Sequence, residues 1–362
     1  MAGLVAGARA RQLGLEPVVL EKGSRPGGSM LLSSGVVWRH RELDDYLAEC
    51  PGGDPALQRL VHERFDHALE WLEALGAPVL GRDTGNPRTV GRRFDTHAMT
   101  EALGRTAGEV HLRRTIPRDH QGPLVLATGG FPASLAERLR LILRANPWST
   151  GDGLWLARRL GAAPAGDLGE FYGRNLPAPP ARVEEDGFVR LAQVYGRFAL
   201  VVNLAGERFG PEAPSWSEVD LVQATARQSW GRAWYVVDGP ALAERVRERT
   251  VAELVEAAEE AGGEVRRAES VEGLGLELPD APQLAAPPFA AVLVQAAVTQ
   301  TLGGIRVDEG ARALRAEGTP VEGLYAAGAD VGRISSGGWS SGLAAALVLG
   351  LTAAETAAAD IR

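Results

Sequence analysis

Small residues recur at helical spacing from the start of the chain: Gly3, Ala6, Gly7 and Ala10 share one face of a helix predicted over 1–14. A face this bare suits close packing on a sheet. A buried strand follows from Glu16 to Glu21, and Arg25-Pro26-Gly27-Gly28-Ser29 reads as a turn. Leu57, Leu60, Val61, Phe65, Leu69 and Leu72 repeat at helical spacing and make much of 42–78 helical. A further helix is expected over about 97–106, and Glu109 to Leu112 as a short strand. Gly122 to Phe131 reads as a buried strand running into a glycine turn. Trp148-Ser149-Thr150-Gly151-Asp152-Gly153 precedes a helix at 154–160, with Asp152 or Thr150 as its cap.

From about 165 to 290 the pattern changes to clustered prolines, short strands and one long helix near 240–261. On that helix Glu244, Arg245, Arg247, Glu248, Arg249 and Glu253 read as a solvated face with i,i+4 pairs. The proline-rich segment Ala281 to Pro288 reads as a boundary, and the strand-turn-helix pattern returns over 300–362. Interleaved this way, the sheet that uses Glu21 also uses Gly328. The expected fold class is α/β: a discontinuous Rossmann-like domain over 1–149 and 291–362, with an α+β capping domain over 150–290.

Composition narrows the function classes. The chain has 362 residues, enough for one large core or two domains. Its 38 Lys and Arg against 46 Asp and Glu give a net charge of −8, which disfavours a nucleic-acid surface. Cys50 is the single cysteine, so no internal disulfide forms, and a reducing cytoplasm is expected. No basic region precedes an apolar stretch at the amino terminus, and the apolar run Leu343 to Leu351 is too short for a bilayer. A soluble cytoplasmic protein with no membrane segment is therefore expected. His62 and His67 lie five apart, poor spacing for a shared metal, and no metal site is expected.

Gly3 and Glu21 stand at the spacing of the last glycine and the acid of a dinucleotide fingerprint. The first strand and first two glycines of that fingerprint are absent, because the chain begins inside it. Glu21 reads either as a ribose ligand or as an ordinary strand-end acid.

Six segments in order carry a resemblance. They are Glu21-Lys22-Gly23 with Pro26-Gly27-Gly28-Ser29, Ala127-Thr128-Gly129-Gly130-Phe131, Gly151-Asp152-Gly153, Gly206-Glu207-Arg208-Phe209, Thr301-Leu302-Gly303-Gly304, and the stretch from Gly323 to Asp330. Together they resemble the flavoprotein family of fumarate reductase and succinate dehydrogenase, with its ketosteroid and tricarballylate-type dehydrogenase members. The resemblance implies extended FAD between the Rossmann-like domain and the cap, and hydride transfer between flavin N5 and a carbon of an activated C–C bond.

By that likeness Gly3 faces the pyrophosphate, and Glu21, followed by Lys22, the adenosine ribose. Gly28 and Ser29 meet the phosphate and ribityl region, and Ser33, Ser34 and Gly35 lie beside the isoalloxazine. Gly328 and Asp330 hold ribityl or phosphate groups, and the backbone of Ser341, Gly342 and Leu343 faces the pyrimidine end. Thr128 and Gly129 are either cofactor contacts or a structural turn. Arg208 with Glu212 is either a proton-delivery pair or a surface ion pair. Tyr172 and Tyr195 are either proton donors or cap core. Thr301 and Gln300 are expected at the substrate or flavin edge, and Arg333 is either an anion clamp or solvated.

Departures from the family pattern matter as much. Ser29 holds the place of the histidine that tethers flavin in succinate dehydrogenases, which implies non-covalent FAD. Gln300 replaces a histidine, and Gly338-Trp339 stands where an arginine clamps the substrate carboxylate. These disfavour a dicarboxylate and point to a larger, weakly charged small-molecule substrate. The electron partner is left unassigned. Short links between Thr115 and Pro123 and between Leu278 and Pro287, with the missing first strand, open a second reading. In it the chain is a truncated, catalytically impaired relative acting as a non-enzymatic or partner protein. A nicotinamide-dependent dehydrogenase is a third reading, which the Gly328 segment opposes.

Overall fold

The computed structural model describes residues 1–116, 120, 122–278 and 284–361. Parts of the two short links and of the boundary Ala281 to Pro288 therefore lie outside the described residues. The chain forms two compact units. The first comprises Met1–Ser134, Ala145–Phe171 and Gln300–Arg362; the second comprises Leu135–Arg144 and Tyr172–Thr299. The sequence-expected limits at 150 and 290 fall elsewhere, for two reasons. Residues 150–153 are hydrogen-bonded into the first unit. The strand Phe289–Thr301 runs unbroken past the proline-rich segment, and most of its length pairs within the second unit.

In the first unit the amino-terminal helix Ala2–Gln12 packs on the strand Val19–Glu21 and the helix Thr96–Ala107. Its small face makes this possible. A Cβ on Gly7 would stand 2.7 Å from Val19 Cγ2 and 3.3 Å from Ala107 Cβ. Val19–Glu21 runs parallel to Val110–Leu112. A separate ladder joins Leu124–Leu126, parallel, to Pro320–Ala326, which pairs antiparallel with Arg312–Leu314. The single sheet expected to hold both Glu21 and Gly328 is thus two ladders, because no strand among the described residues pairs with both.

The helical region expected over 42–78 is two helices, Leu43–Glu49 and Pro55–Ala74. The turn Cys50–Gly53 parts them, and the second restarts on Asp54, whose carboxylate accepts from Ala56 N at 3.0 Å with Pro55 at the first position. Around them lies an antiparallel sheet of Val36–His40, Thr89–Phe94 and Val79–Gly81. Toward the other end, neither Asp152 nor Thr150 caps the helix Asp152–Arg159; Gly151 holds that place in a left-handed conformation.

The carboxy-terminal helix Gly342–Ile361 is longer than its apolar run suggested. At 20 residues and a mean hydropathy of 1.6 it is long and apolar enough to cross a membrane, yet 72% of that window is buried inside the protein. Here it serves as a core helix. Glu355 accepts from Arg9 Nε at 2.9 Å and Arg64 Nη2 at 2.6 Å, fastening it to the helices Ala2–Gln12 and Pro55–Ala74.

The second unit is built on a sheet ordered Leu200–Val202, Arg232–Val237, Phe289–Thr301, Val265–Ala268. Strand alternation sends Tyr235 and Val237 into a core with Tyr195, Leu221 and Leu254, and sends Trp234 and Val236 to the opposite face with Leu200 and Leu293. The long helix expected near 240–261 is instead a short helix Gly239–Ala243, a hairpin Arg245–Val246 with Arg249–Thr250, and a helix Val251–Glu260. Arg247 at φ +59° breaks the run, and Thr250 with Glu253 forms a capping box that starts a new helix. The charges of 244–249 therefore sit at the hairpin, where Arg245 donates to the Glu248 carbonyl, and not on a helix face.

Filling the closest helix approach tests this packing. Gly7→Val is expected to cost about 1–3 kcal/mol by overpacking. Urea unfolding checks it, and an unchanged midpoint would show that the helix does not sit this close.

Candidate functional site

The strand Pro320–Ala326 ends in a turn at Gly328, which takes φ +68°. A Cβ there would stand 2.9 Å from Ala2 Cβ, so only glycine lets the turn meet the start of the amino-terminal helix. The turn buries Asp330, which is 1% exposed. Its carboxylate accepts from Thr128 N, from Thr128 Oγ1 at 2.8 Å and from Gly129 N at 3.1 Å. Burial pushes the Asp330 carboxyl up to about 6, against the pull of these donors.

Thr128 Oγ1 in turn accepts from Gly153 N at 3.2 Å. Next to Gly153, Asp152 Oδ2 takes Lys22 Nζ at 2.8 Å, and Lys22 also donates to Thr150 Oγ1 at 2.6 Å. Beside Lys22, Glu21 Oε1 accepts from Gly23 N at 2.6 Å. Any side chain at Gly23 would collide with the Trp148 ring. Ser29 Oγ accepts from Asn146 N at 3.0 Å. The segment 146–153 thus gathers the Glu21 strand end, the Ser29 turn and the Asp330 carboxylate within one unit.

The remaining expected cofactor residues lie in the same unit. Gly3 has room only for a contact, its would-be Cβ lying 3.5 Å from Ala127 Cβ. Gly28 takes φ +57°, and Gly35 takes φ +71° against the Phe94 carbonyl. Ser33 Oγ donates to the Met30 carbonyl at 2.8 Å and accepts from Gly35 N at 3.1 Å, whereas Ser34 is exposed. Ser341 Oγ accepts from Ala344 N at 3.2 Å, at the start of the carboxy-terminal helix, and from Trp38 N at 3.4 Å. A side chain at Gly342 would strike Gln300 Oε1, and Leu343 is half-buried. Thr301 is buried and its Oγ1 accepts from Phe131 N at 3.4 Å, so it braces the Thr128–Phe131 turn.

The other expected catalytic residues belong to the second unit. Tyr172 is half-buried, while Arg208 and Glu212 are exposed. Tyr195 is fully buried. Arg333, in the first unit, is exposed and donates to the carbonyls of Gly52 and Gly53 at 3.2 Å each. Among the described residues no group of three or more His, Cys, Asp or Glu could hold a metal ion.

Four residues beneath the 333–340 turn escaped periodicity. Tyr46 Oη and Gln58 Nε2 both donate to the Ile334 carbonyl at 3.2 Å, and Gln58 also holds the Cys50 carbonyl at 2.8 Å. His40 stacks on Tyr46 with centroids 5.5 Å apart. Burial pushes His40 down to about 4 and raises both Tyr46 and the Cys50 thiol, so all three are neutral near pH 7. No motif signals this cluster; only the fold brings positions 40–58 to 334.

The family described as "FAD binding domain" matches residues 1–121 and 113–343. A fumarate reductase (cytochrome) of Shewanella frigidimarina is 22% identical over 415 residues, covering 92% of this chain and 71% of the relative. Among solved structures, the open conformation of a flavocytochrome c3 fumarate reductase superposes with a TM-score of 0.72 at 19% identity, covering 99% of this chain and 76% of that one. A 3-ketosteroid Δ1-dehydrogenase from Sterolibacterium denitrificans, in complex with 1,4-androstadiene-3,17-dione, gives a TM-score of 0.70 at 18% identity, covering 99% and 98%.

Asp330→Asn places an amide N–H2 among donors and is expected to cost about 1–3 kcal/mol. The folded-state value of about 6 lies above the ordinary carboxylate value of 3.8. The Asp330 contribution is therefore full below pH ~4 and is lost as pH rises through ~6. Unfolding midpoints measured from pH 4 to 7 should converge with those of the variant as pH rises; parallel curves would refute the assignment.

Proposed function

This chain belongs to the FAD binding domain family, and from that premise we propose that it is an FAD-dependent oxidoreductase acting on an activated carbon–carbon bond. One observation carries the reading. The hydrogen-bonded path from Lys22 through Asp152–Gly153 and Thr128 to Asp330 gathers segments from both ends of the chain within one unit. The residues present fit an extended dinucleotide. Ala2, Gly3, Ala127 and Gly328 keep the start of the amino-terminal helix free of bulk, and a Cβ at Gly328 would close that approach.

Bound FAD supplies hydride exchange at its N5. The chain's own residues bind and orient. Gly3, in the first turn of the amino-terminal helix, offers backbone N–H groups and a positive helix end to the pyrophosphate. Glu21 accepts from the ribose hydroxyls. Asp330 fixes the Thr128–Gly129 turn and keeps acceptor capacity for a hydroxyl of the ribityl chain. The Ser341-capped helix start favours negative charge at the pyrimidine end. Ser29, standing where relatives carry the tethering histidine, gives its oxygen to Asn146 N, which supports a cofactor held without a covalent bond. In the second unit Tyr172 is the proton donor we favour, because Arg208 and Glu212 are solvated.

The substrate reading follows from the 333–340 turn, where Trp339 is 9% exposed and Tyr46 and Gln58 already hold the Ile334 carbonyl. Such a wall suits a larger, weakly charged molecule better than a dicarboxylate. A second reading, a catalytically impaired relative acting as a partner protein, is favoured by the two unjoined ladders of the first unit.

Reconstitution separates the readings. Protein mixed with FAD and desalted is expected to keep a flavin band at about 450 nm, to release all of it on denaturation, and to turn over ketosteroid-like enones faster than fumarate. Retention with turnover supports the oxidoreductase; failure to retain flavin at micromolar protein would sink it in favour of the second reading.

A further inference from the structure

The second unit buries an arginine and a carboxylate that belong to none of the six family-like segments. Arg174, on the strand Phe171–Pro177, is 7% exposed, and Glu218, before the helix Val219–Ala226, is 5% exposed. Arg174 Nη1 donates to the carbonyl of Gly173 and to that of Ser217, the neighbour of Glu218. Its guanidinium carbon lies 4.9 Å from the centroid of the Tyr172 ring, a cation–π distance.

Glu218 sits at φ +55° and does not cap its own helix. Its carboxylate instead accepts from the backbone N–H groups of Gly196 and Arg197. Gly196 makes the approach possible: a Cβ there would stand 3.4 Å from Glu218 Oε1 and 3.3 Å from Tyr235 Oη, and would collide with Leu221. Tyr195 is fully buried on the neighbouring residue, and its Oη has no hydrogen-bond partner among the described residues. The Tyr195 and Tyr235 rings meet edge to face at 5.5 Å.

We infer that Arg174 and Glu218 are positioning residues for Tyr172: Glu218 is the counter-charge that keeps Arg174 buried over the ring, and its protonation loosens that hold. The inference rests on the proposed function only in giving Tyr172 the proton-donor role. A buried guanidinium needs a partnered charge, because an uncompensated one is costly in a low-dielectric core. The groups facing the carboxylate are Arg174 from the strand Phe171–Pro177, Arg197 and Tyr195 from the turn before Leu200–Val202, and Tyr235 from Arg232–Val237. Burial pushes Glu218 up to about 7, with Arg174, the two amides and Arg197 pulling it back. Protonation thus removes the counter-charge near neutrality and leaves Arg174 its carbonyl acceptors and the Tyr172 ring, with the buried Arg144 guanidinium facing both Tyr172 and Arg174.

The test uses the full chain, which has five tyrosines, labelled throughout with 3-fluorotyrosine. Fluorine resonances are followed from pH 5.5 to 8.5, with Tyr172→Phe assigning the resonance of residue 172. Infrared difference spectra over the same range follow protonated carboxyls. We expect a carboxyl band lost with a midpoint near pH 7 and a Tyr172 resonance moving with that midpoint. Both should vanish in Glu218→Gln, which keeps an acceptor for the two amides. Arg174→Lys, which keeps charge but loses the planar fork, should retain the carboxyl band and displace the Tyr172 resonance. A wild type without the band, or a Tyr172 resonance that titrates identically in Glu218→Gln, overturns the inference. Neither readout requires FAD, so a chain that passes here and fails to bind flavin refutes the functional reading alone.

Discussion

The first unit depends on one buried carboxylate. Asp330 has lost its water, a loss that costs several kcal/mol unless donors replace the hydration. Thr128 and Gly129 supply those donors, and Thr128 passes the connection to Gly153. The carboxylate thus ties together the ends of two paired strands, Leu124–Leu126 and Pro320–Ala326, and no strand among the described residues joins their ladder to that of Val19–Glu21. The same carboxylate reaches the strand end at Glu21 through Asp152 and Lys22, an exposed ion pair worth little alone. Its value is geometric, since it fixes the segment 146–153 against the residues that would meet the cofactor.

Small residues set how close the pieces come. Gly7 against Val19, Gly328 against Ala2 and Gly350 against the Ala2 carbonyl give up side-chain burial in exchange for backbone proximity. A helix packed this way gains little from large apolar contacts, so the Glu355 bridge to Arg9 and Arg64 carries more of its registry. Cofactor binding would add to this: any ligand that binds only the folded state stabilises it by mass action. A unit held by one polar knot and close helix contacts stands to gain more from that than one with a continuous sheet.

What the sequence disclosed follows from the range of each interaction. The stripe Leu57 to Leu72 announced its helix, and the apolar runs near Val110 and Leu124 announced strands, because burial repeats locally. The six motif segments announced which residues would gather, and most of them do so in one unit. The failures were of two kinds. Where a local signal competed with another, the weaker pattern won: Thr250 with Glu253 started a helix inside a stretch that read as one long helix. Where the partner lay far along the chain, nothing local could speak. Lys22 with Asp152, Ser29 with Asn146 and Tyr46 with Ile334 are separated by 130, 117 and 288 positions.

In the second unit burial, more than residue type, decides which charges act on their neighbours. Arg208 and Glu212 have the right chemistry and stand by a family-like segment, and both are exposed. Arg174 and Glu218 lack any motif, and burial alone makes them consequential. Desolvation couples the two charges and brings the Glu218 carboxyl to about 7, into the range where protons move under ordinary conditions. Tyr172, two residues from Arg174 on the same strand, points to the same side by the two-residue period, so the coupling reaches a half-exposed phenol. An exposed pair could lose either member with little effect on its neighbours. Buried charges respond more strongly, because water does not replace a lost partner and only the remaining donors and acceptors hold the charge.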